Sequence, residues 1–133
     1  MYSEITNSIK ISVNPVFLEE QSDPDDFHYV WAYHVCIENQ RTDTVQLMTR
    51  RWHITDSQGR INEVRGEGVV GEKPILKPGE TYEYTSGAPL STPSGFMVGS
   101  YQMIDNDGVS FDVSVPAFSL SLIHISEPTR RRG

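Results

Sequence analysis

The chain has 133 residues, long enough for one domain to bury a core without disulfides or a structural metal. Its formal net charge of −7 argues against non-specific binding to nucleic acid or to an anionic membrane surface. No apolar run approaches the roughly 20 residues that span a membrane, and the N-terminus has no signal-peptide pattern, so we expect a cytoplasmic protein.

Alternating apolar and polar residues predict long strands in the first half of the chain. The first covers residues 9–13 and extends past Pro15, which indicates an edge or an interruption because proline lacks a ladder N–H. The strongest strand signal is the period-2 series of residues 27–37, which begins at Phe27. Cys36, the single cysteine, lies in this series, where we expect a buried and unreactive thiol.

An acidic segment, EEQSDPDD at residues 19–26, lies between these strands. We interpret it as a solvated loop. The alternative is a divalent metal site, because clustered carboxylates bind hard cations, although the segment lacks the alternating ligands and central glycine of a calcium loop. His28 and His34 lie about 20 Å apart along an extended strand and His53 lies on another, so we expect no metal centre from the histidines.

A further strand and two hairpins follow. The strand covers residues 44–56, and its apolar face changes parity, which predicts a bulge near residues 49–51. The sequence DSQG at 56–59 predicts a hairpin. The sequence NDG at 106–108 predicts a second hairpin, between strands at 96–104 and 109–115.

Between these hairpins the strand signal is weaker. Tyr82 and Tyr84 indicate a short strand, whereas the prolines and glycines of residues 87–95 predict an irregular loop. No segment has the pattern of an amphipathic helix. Seven to eight short antiparallel strands therefore predict an all-β sandwich of the immunoglobulin or fibronectin type III-like kind.

Three glycines, Gly66, Gly68 and Gly71, have the GxGxxG spacing of a phosphate-binding loop. That fingerprint requires a strand before the loop and a helix after it, whose N-terminal amides hold the anion. The sequence EKPILKPG after Gly71 cannot form such a helix. We therefore interpret the glycines as positions for positive φ angles and close backbone passage. The alternative is an irregular loop that binds a nucleotide or polyphosphate with help from Arg65 and Lys73.

Catalytic and cofactor sites are not recognisable in the sequence. No serine lies in a GxSxG elbow and no nucleophile is spaced for pairing with a base, so we expect neither an enzyme nor a cofactor. The aromatic residues are typical of core positions and cross-strand pairs. Exposed together, they would form a protein-binding face, for which the candidates are Arg50, Arg51, Trp52 and Tyr101. A homodimer through edge strands stays open.

Several longer motifs occur together in this chain. They are Gln46-Leu47-x-x-Arg50-Arg51-Trp52-x-Ile54-x-Asp56, Val64-x-Gly66-x-Gly68-Val69-Val70-Gly71, Pro74-x-Leu76-x-Pro78-Gly79-Glu80, Tyr84-Thr85-Ser86-Gly87, Leu90-x-Thr92-Pro93-x-Gly95-x-Met97-x-Gly99-x-Tyr101 and Pro116-x-Phe118. With them the chain closely resembles the ApaG family of CorD-like domains over about residues 9–120. It departs from the family at Arg51, where a histidine is frequent.

The resemblance implies a fibronectin-type β-sandwich. It also implies an association with diadenosine tetraphosphate hydrolase genes and with cobalt and magnesium tolerance. Related domains in F-box and polymerase-interacting proteins imply a partner-binding module. None of these implications assigns a catalytic residue.

The C-terminal segment breaks the strand pattern. The sequence LSLIHISEPTR, which begins at Leu120, matches the in-frame translation of a common sequencing adapter. We therefore divide the chain into an ApaG-like domain at residues 1–119 and a non-native tail at residues 120–133.

Overall fold

The computed structural model describes residues 1–122. They form nine strands: β1 (Tyr2–Thr6), β2 (Ile9–Phe17), β3 (Tyr29–Asn39), β4 (Val45–Asp56), β5 (Ile61–Glu67), β6 (Ile75–Leu76), β7 (Thr81–Leu90), β8 (Ser94–Ile104) and β9 (Ser110–Ser121). The acidic segment contributes two short 3₁₀-helices, Glu19–Gln21 and Pro24–Asp26. In this described part, no helix has the length and hydropathy to cross a membrane.

The strands form two antiparallel sheets with the core between them. One sheet has the order β1-β2-β3-β7, and the other has the order β5-β4-β8-β9, with β6 paired to the start of β4. At one side β1 meets β9, where the side-chain amide of Asn7 donates to the carbonyl of Asp112 at 3.0 Å. The outer strands β7 and β5 lie at the other side. The predicted all-β sandwich is confirmed, with β1 and β6 as strands that the sequence pattern did not reveal.

Strand β3 shows how the sequence pattern produces the core. Its odd-numbered residues, from Tyr29 to Asn39, are all buried and the even-numbered ones are half-buried, as the period-2 series predicts. Phe27 is an exception, since it precedes the strand with a φ of 54° and is 71% exposed. Cys36 lies half-buried on the outer face rather than in the core. Partial burial and the nearby Glu83 and Glu38 raise the pKa of its thiol, which disfavours the reactive thiolate.

A bulge in β4 decides which of its side chains face the core. Its register against β8 shifts between Leu47 and Thr49, close to the predicted position. Leu47 faces inward before the shift, and Trp52 faces inward after it, with exposures of 0% and 2%. Arg50 has the parity of Trp52 and lies opposite the buried Tyr101. The bulge therefore turns a charged residue toward the interior of the sandwich.

The structure confirms the two predicted hairpins but not the predicted loop at residues 87–95. Both predicted hairpins are confirmed, since Gly59 donates to the carbonyl of Asp56 at 3.1 Å and Gly108 to that of Asp105 at 3.0 Å. The irregular loop at residues 87–95 is wrong, because β7 continues through Gly87 to Leu90 and β8 begins at Ser94. Strand β7 is the outer strand of its sheet, and there a proline nitrogen can face the open side without loss of a ladder hydrogen bond.

Pro15 in β2 and Leu120 in β9 are two further positions at which a prediction from the sequence meets the structure. Strand β2 runs through Pro15 without interruption, but β1 pairs with it only as far as Val13, so Pro15 lies where β2 has become an edge. Strand β9 ends at Ser121, and Leu120 in it is fully buried opposite Gly95. Strand β9 thus ends two residues past position 119, and the division into an ApaG-like domain and a non-native tail stays a prediction. The rest of the predicted non-native tail, residues 123–133, lies outside the described residues.

Candidate functional site

Arg50 is a half-buried charged residue on the inward face of β4. Its Nη1 donates to the backbone carbonyls of Glu67 at 3.1 Å and Gly68 at 3.0 Å. Its guanidinium lies over Gly66, the residue opposite it in β5, and a Cβ added there would be 2.6 Å from Nη1. Within residues 1–122, Arg50 forms no ion pair with a carboxylate, and Nη1 is its only nitrogen that donates. A charged side chain that faces inward without a counter-charge is unusual in a folded protein.

Three tyrosines lie near Arg50 and supply no counter-charge. The hydroxyls of Tyr84 and Tyr101 are hydrogen-bonded to each other at 2.5 Å, and Tyr33 lies opposite Ser86 in the ladder between β3 and β7. Burial raises the pKa of all three phenols. They are therefore neutral at physiological pH and supply no negative charge to balance that of Arg50.

A cleft opens beside Arg50, between the outer strands β5 and β7. Its volume is about 180 Å³. Six of its eleven lining residues are apolar, and they are Trp52, Ile54, Val64, Ala88, Pro89 and Met97. Arg50, Tyr33, Ser86 and Asn62 add the polar groups, with Gly87 at the β7 side. We call this feature the edge cleft, and its lining combines an apolar floor with one cation.

The glycine loop forms a tight hairpin rather than an open anion cradle. Val69 and Glu72 exchange both backbone hydrogen bonds, at 2.7 and 2.9 Å. The two residues between them, Val70 and Gly71, have φ values of 43° and 82°, as a type I′ turn requires. The amide of Gly68 donates to the carbonyl of Met48 at 2.9 Å. Three amides that could hold a phosphate are thus used within the fold.

The cations predicted to assist that loop already have carboxylate partners. Lys73 pairs with Glu67 at 2.8 Å, and Arg65 pairs with Glu63. An anion bound there would compete with both carboxylates. Phosphate binding by Arg65, Gly66, Gly68, Gly71 and Lys73 stays a prediction.

The outer face of the five-stranded sheet carries a second cluster of charges, centred on Glu63. One oxygen of Glu63 accepts from Arg51 at 3.1 Å and from Arg65, and the other lies 3.6 Å from the imidazole of His53. The hydrogen bond from Arg65 and the nearby charge of Arg51 lower the pKa of the Glu63 carboxyl. One carboxylate is therefore shared by two guanidinium groups, which leaves this place locally positive on an acidic protein.

Large apolar side chains are exposed next to these charges. Ile61 and Phe96 lie on either side of Thr55 in the ladder, and Val98 lies opposite His53. Their exposed fractions are 68% for Ile61, 47% for Phe96 and 36% for Val98. We call this surface the outer patch, formed by Arg51, His53, Ile61, Glu63, Arg65, Phe96 and Val98.

The structure separates the residues predicted for a protein-binding face. Trp52 and Tyr101 are buried, with 2% and 1% exposure, so the expectation that they present a surface is corrected. Arg50 and Arg51 are neighbours in sequence, yet Arg50 faces the edge cleft and Arg51 the outer patch. Sequence reasoning missed Phe96 and Val98, although the inward parity of Tyr101 and Met103 places both on the outer face of β8.

Metal ligands do not converge in residues 1–122, where no three His, Cys, Asp or Glu side chains are grouped closely enough to hold an ion. The two 3₁₀-helices of the acidic segment have no buried residue. His34 bonds instead to Thr85 at 2.9 Å and to Glu83 at 2.8 Å, on the outer face of the other sheet. These histidine contacts are ordinary cross-strand pairs.

A family model and the sequences of known proteins both match this chain to ApaG. A family model for the ApaG domain matches residues 19–105. Protein ApaG of Rhodospirillum centenum is 60% identical, over 93% of this chain and 95% of that protein. Protein ApaG of Brucella canis is 52% identical, over 99% of this chain and 98% of that protein.

Solved structures agree with this family. A crystal structure described as an ApaA protein from Bordetella pertussis matches with a TM-score of 0.83 and 48% identity, over 85% of this chain and 92% of that chain. A second X-ray structure matches with a TM-score of 0.82 and 37% identity, over 89% of each chain. The chain therefore belongs to the ApaG family.

Proposed function

We propose that this protein is a cytoplasmic, non-catalytic binding module that acts through protein–protein contacts at the outer patch. The observation that carries the proposal is the exposure of Ile61, Phe96 and Val98 at neighbouring positions of one sheet face. Contiguous exposed apolar side chains on a soluble domain mark interaction sites more often than scattered ones do. A rigid antiparallel sheet holds them in a fixed arrangement, which reduces the entropy lost on binding.

The charges of the outer patch indicate the chemistry of the partner. Arg51 and Arg65 share Glu63, so a carboxylate from a partner can pair with one guanidinium while Glu63 keeps the other. Arginine is favoured in such contacts because its planar fork binds a carboxylate through two hydrogen bonds. We expect a partner surface with apolar side chains beside an acidic residue.

The family's association with cation tolerance and dinucleoside polyphosphates fits this proposal indirectly. We assign any role in cobalt and magnesium tolerance, or in diadenosine tetraphosphate metabolism, to the partner rather than to a metal or nucleotide site on this chain. The supporting observations are the paired cations of the glycine loop and the lack of grouped metal ligands among the described residues.

The test compares three forms of the immobilised full chain in a lysate of Rhizobium meliloti, a bacterium that has a relative 57% identical to this chain. Phe96→Asp places a charge in the outer patch. Val109→Asp is the matched control, since Val109 is also exposed, at 59%, but lies beside the turn between β8 and β9. We expect at least one protein that the unchanged chain and Val109→Asp retain and Phe96→Asp loses, by quantitative mass spectrometry.

A reciprocal charge change makes the test specific. Arg51→Glu should also release the partner, and an acidic-to-basic change on the partner should restore part of the binding. Equal recovery of every captured protein by the unchanged chain and Phe96→Asp would refute the outer patch as the docking surface.

A further inference from the structure

We propose that the edge cleft binds the carboxylate of a small branched aliphatic acid, with Arg50 as the group that holds the carboxylate. The acid is either free or the C-terminal residue of a polypeptide. This site is separate from the outer patch, since Arg50 and Arg51 face opposite sides of the same sheet. The function proposed above and this site can therefore fail independently.

The charge of the cleft favours an anion. Arg50 is the only ionised side chain among the residues that line it, and it has no carboxylate partner within the described chain. Its Nη1 is held by the carbonyls of Glu67 and Gly68, so the guanidinium is fixed in position. The Nε–H and the two Nη2–H groups are left to donate, and a pair of parallel N–H donors is the geometry that a carboxylate matches.

The floor of the cleft favours an aliphatic group beside that carboxylate. Trp52, Met97 and Ala88 are 2%, 1% and 2% exposed, so they form a firm apolar surface rather than mobile side chains. Tyr33 and Ser86 line the same space, and the Tyr33 hydroxyl can donate because burial raises the pKa of the phenol. A ligand with a carboxylate at one end and methyl groups at the other satisfies both parts of the lining.

The size of the cleft limits the ligand. Its volume of about 180 Å³ equals that of about six water molecules at roughly 30 Å³ each. Pockets for drug-sized molecules measure roughly 300–1,000 Å³, so the cleft cannot enclose a whole nucleotide. A short acid with a branched carbon chain fits, as does one apolar side chain with a terminal carboxylate.

The test uses the full chain labelled with ¹⁵N and observes the indole N–H of Trp52 and the backbone amides of residues 86–88. The probes are 3-methylbutanoate and its neutral analogue 3-methylbutanamide, both at millimolar concentrations. We expect saturable shifts with the acid, confined to the cleft, and none with the amide. N-acetyl-leucine, which mimics a polypeptide C-terminus, distinguishes the two sources, since tighter binding than that of the free acid indicates a polypeptide.

Variants test the role of Arg50. Arg50→Gln should bind 3-methylbutanoate about tenfold more weakly or worse, because charge-assisted hydrogen bonds are lost. Arg60→Gln is the matched control, since it removes the same charge from a residue that pairs with Asp56 outside the cleft, and its affinity should equal that of the unchanged chain. The comparison of acid with amide needs no variant, so instability of Arg50→Gln does not impair the test.

Three results would overturn the proposal. They are the absence of saturable shifts with either acid, equal shifts with acid and amide, and unchanged affinity in Arg50→Gln.

Discussion

Replacement of Gly66 by alanine puts a Cβ atom 2.6 Å from Nη1 of Arg50, which is closer than non-bonded atoms approach in folded proteins. The φ of Gly66 lies outside the left-handed region, so alanine adds no backbone strain. The nearest atoms all belong to the end of the Arg50 side chain, and this end can rotate away. We therefore expect the chain to fold, with Arg50 displaced from the carbonyls of Glu67 and Gly68.

The expected cost follows from the two hydrogen bonds that are lost. A hydrogen bond from a charged donor contributes about 1.5–3 kcal/mol when buried, and these two are exposed or partly buried, so we take about 2 kcal/mol for the pair. Alanine recovers about 0.5–1 kcal/mol of strand stability relative to glycine. Gly66→Ala should thus lower the free energy of unfolding by about 1–1.5 kcal/mol.

A double-mutant cycle isolates this effect. In the background Arg50→Met no guanidinium remains to be displaced, so Gly66→Ala should be neutral or stabilising by about 0.5 kcal/mol. Gly71→Ala is the matched control. A Cβ there meets nothing within 4 Å, but its φ is +82°, so its cost should be the same in both backgrounds. Urea denaturation followed by tryptophan fluorescence measures all the variants, and an equal cost of Gly66→Ala in both backgrounds would refute the reasoning.

Two further predictions concern buried polar groups. Asn39 is fully buried and donates to the carbonyl of Leu76 at 2.9 Å. Asn39→Leu should therefore lower the free energy of unfolding by about 2–3 kcal/mol, whereas Asn14→Leu at an exposed position should change it little. Equal urea midpoints for Asn39→Leu and the unchanged chain would contradict this. The raised pKa of Tyr84 and Tyr101 means that above pH of about 10 the unfolded chain releases protons that the native chain keeps. Stability should therefore be complete below that pH and fall above it by about 1.4 kcal/mol per pH unit for each tyrosine. Tyr101→Phe should make the fall of stability with pH less steep, as measured by denaturant titrations on both sides of about pH 10. A stability that does not change with pH in the unchanged chain would contradict the raised pKa of these tyrosines.

Local periodicity predicted the strands whose two faces have different environments. Strand β3 was recognisable because its aromatic and branched residues alternate without interruption against the half-buried face. Strand β1 was not, since three of its five residues are exposed and it has no continuous apolar face. It is a strand because it pairs with β2 over its whole length, and pairing between distant segments leaves little trace in local sequence.

The error at residues 87–95 has a similar cause. Proline and glycine disfavour a central strand, and the sequence does not reveal that β7 is an outer strand. Gly87 and Pro89 pair with Ala32 and Val30 of β3, so tertiary pairing overrides the local preference. The buried core beneath that edge, which includes Ala88 and Leu90, supplies the stabilisation.

The environment of Arg50 could be predicted only in part from the sequence. In the structure Arg50 has the parity of Trp52 and Ile54, but an arginine at an inward position contradicts the alternation rule and is normally assigned to solvent. What resolves the contradiction is Gly66, 16 positions along the chain but directly opposite in the ladder. Only the register of β4 against β5 shows that the missing side chain of one residue accommodates the guanidinium of the other.

The three glycines of the GxGxxG motif consequently have three different physical roles. Gly66 leaves space for Arg50. Gly68 has a φ of +66° and lies so close to the hairpin backbone that an added Cβ would be 2.2 Å from the carbonyl oxygen of Glu72. Gly71 has a left-handed φ of +82° but open space around it. The Cβ of alanine at Gly68 would meet backbone, which cannot rotate away, so Gly68→Ala should destabilise the fold more than Gly66→Ala. Thermal unfolding of the two variants decides the order. A larger loss for Gly66→Ala would mean that Arg50, and not the hairpin, limits the stability of this edge.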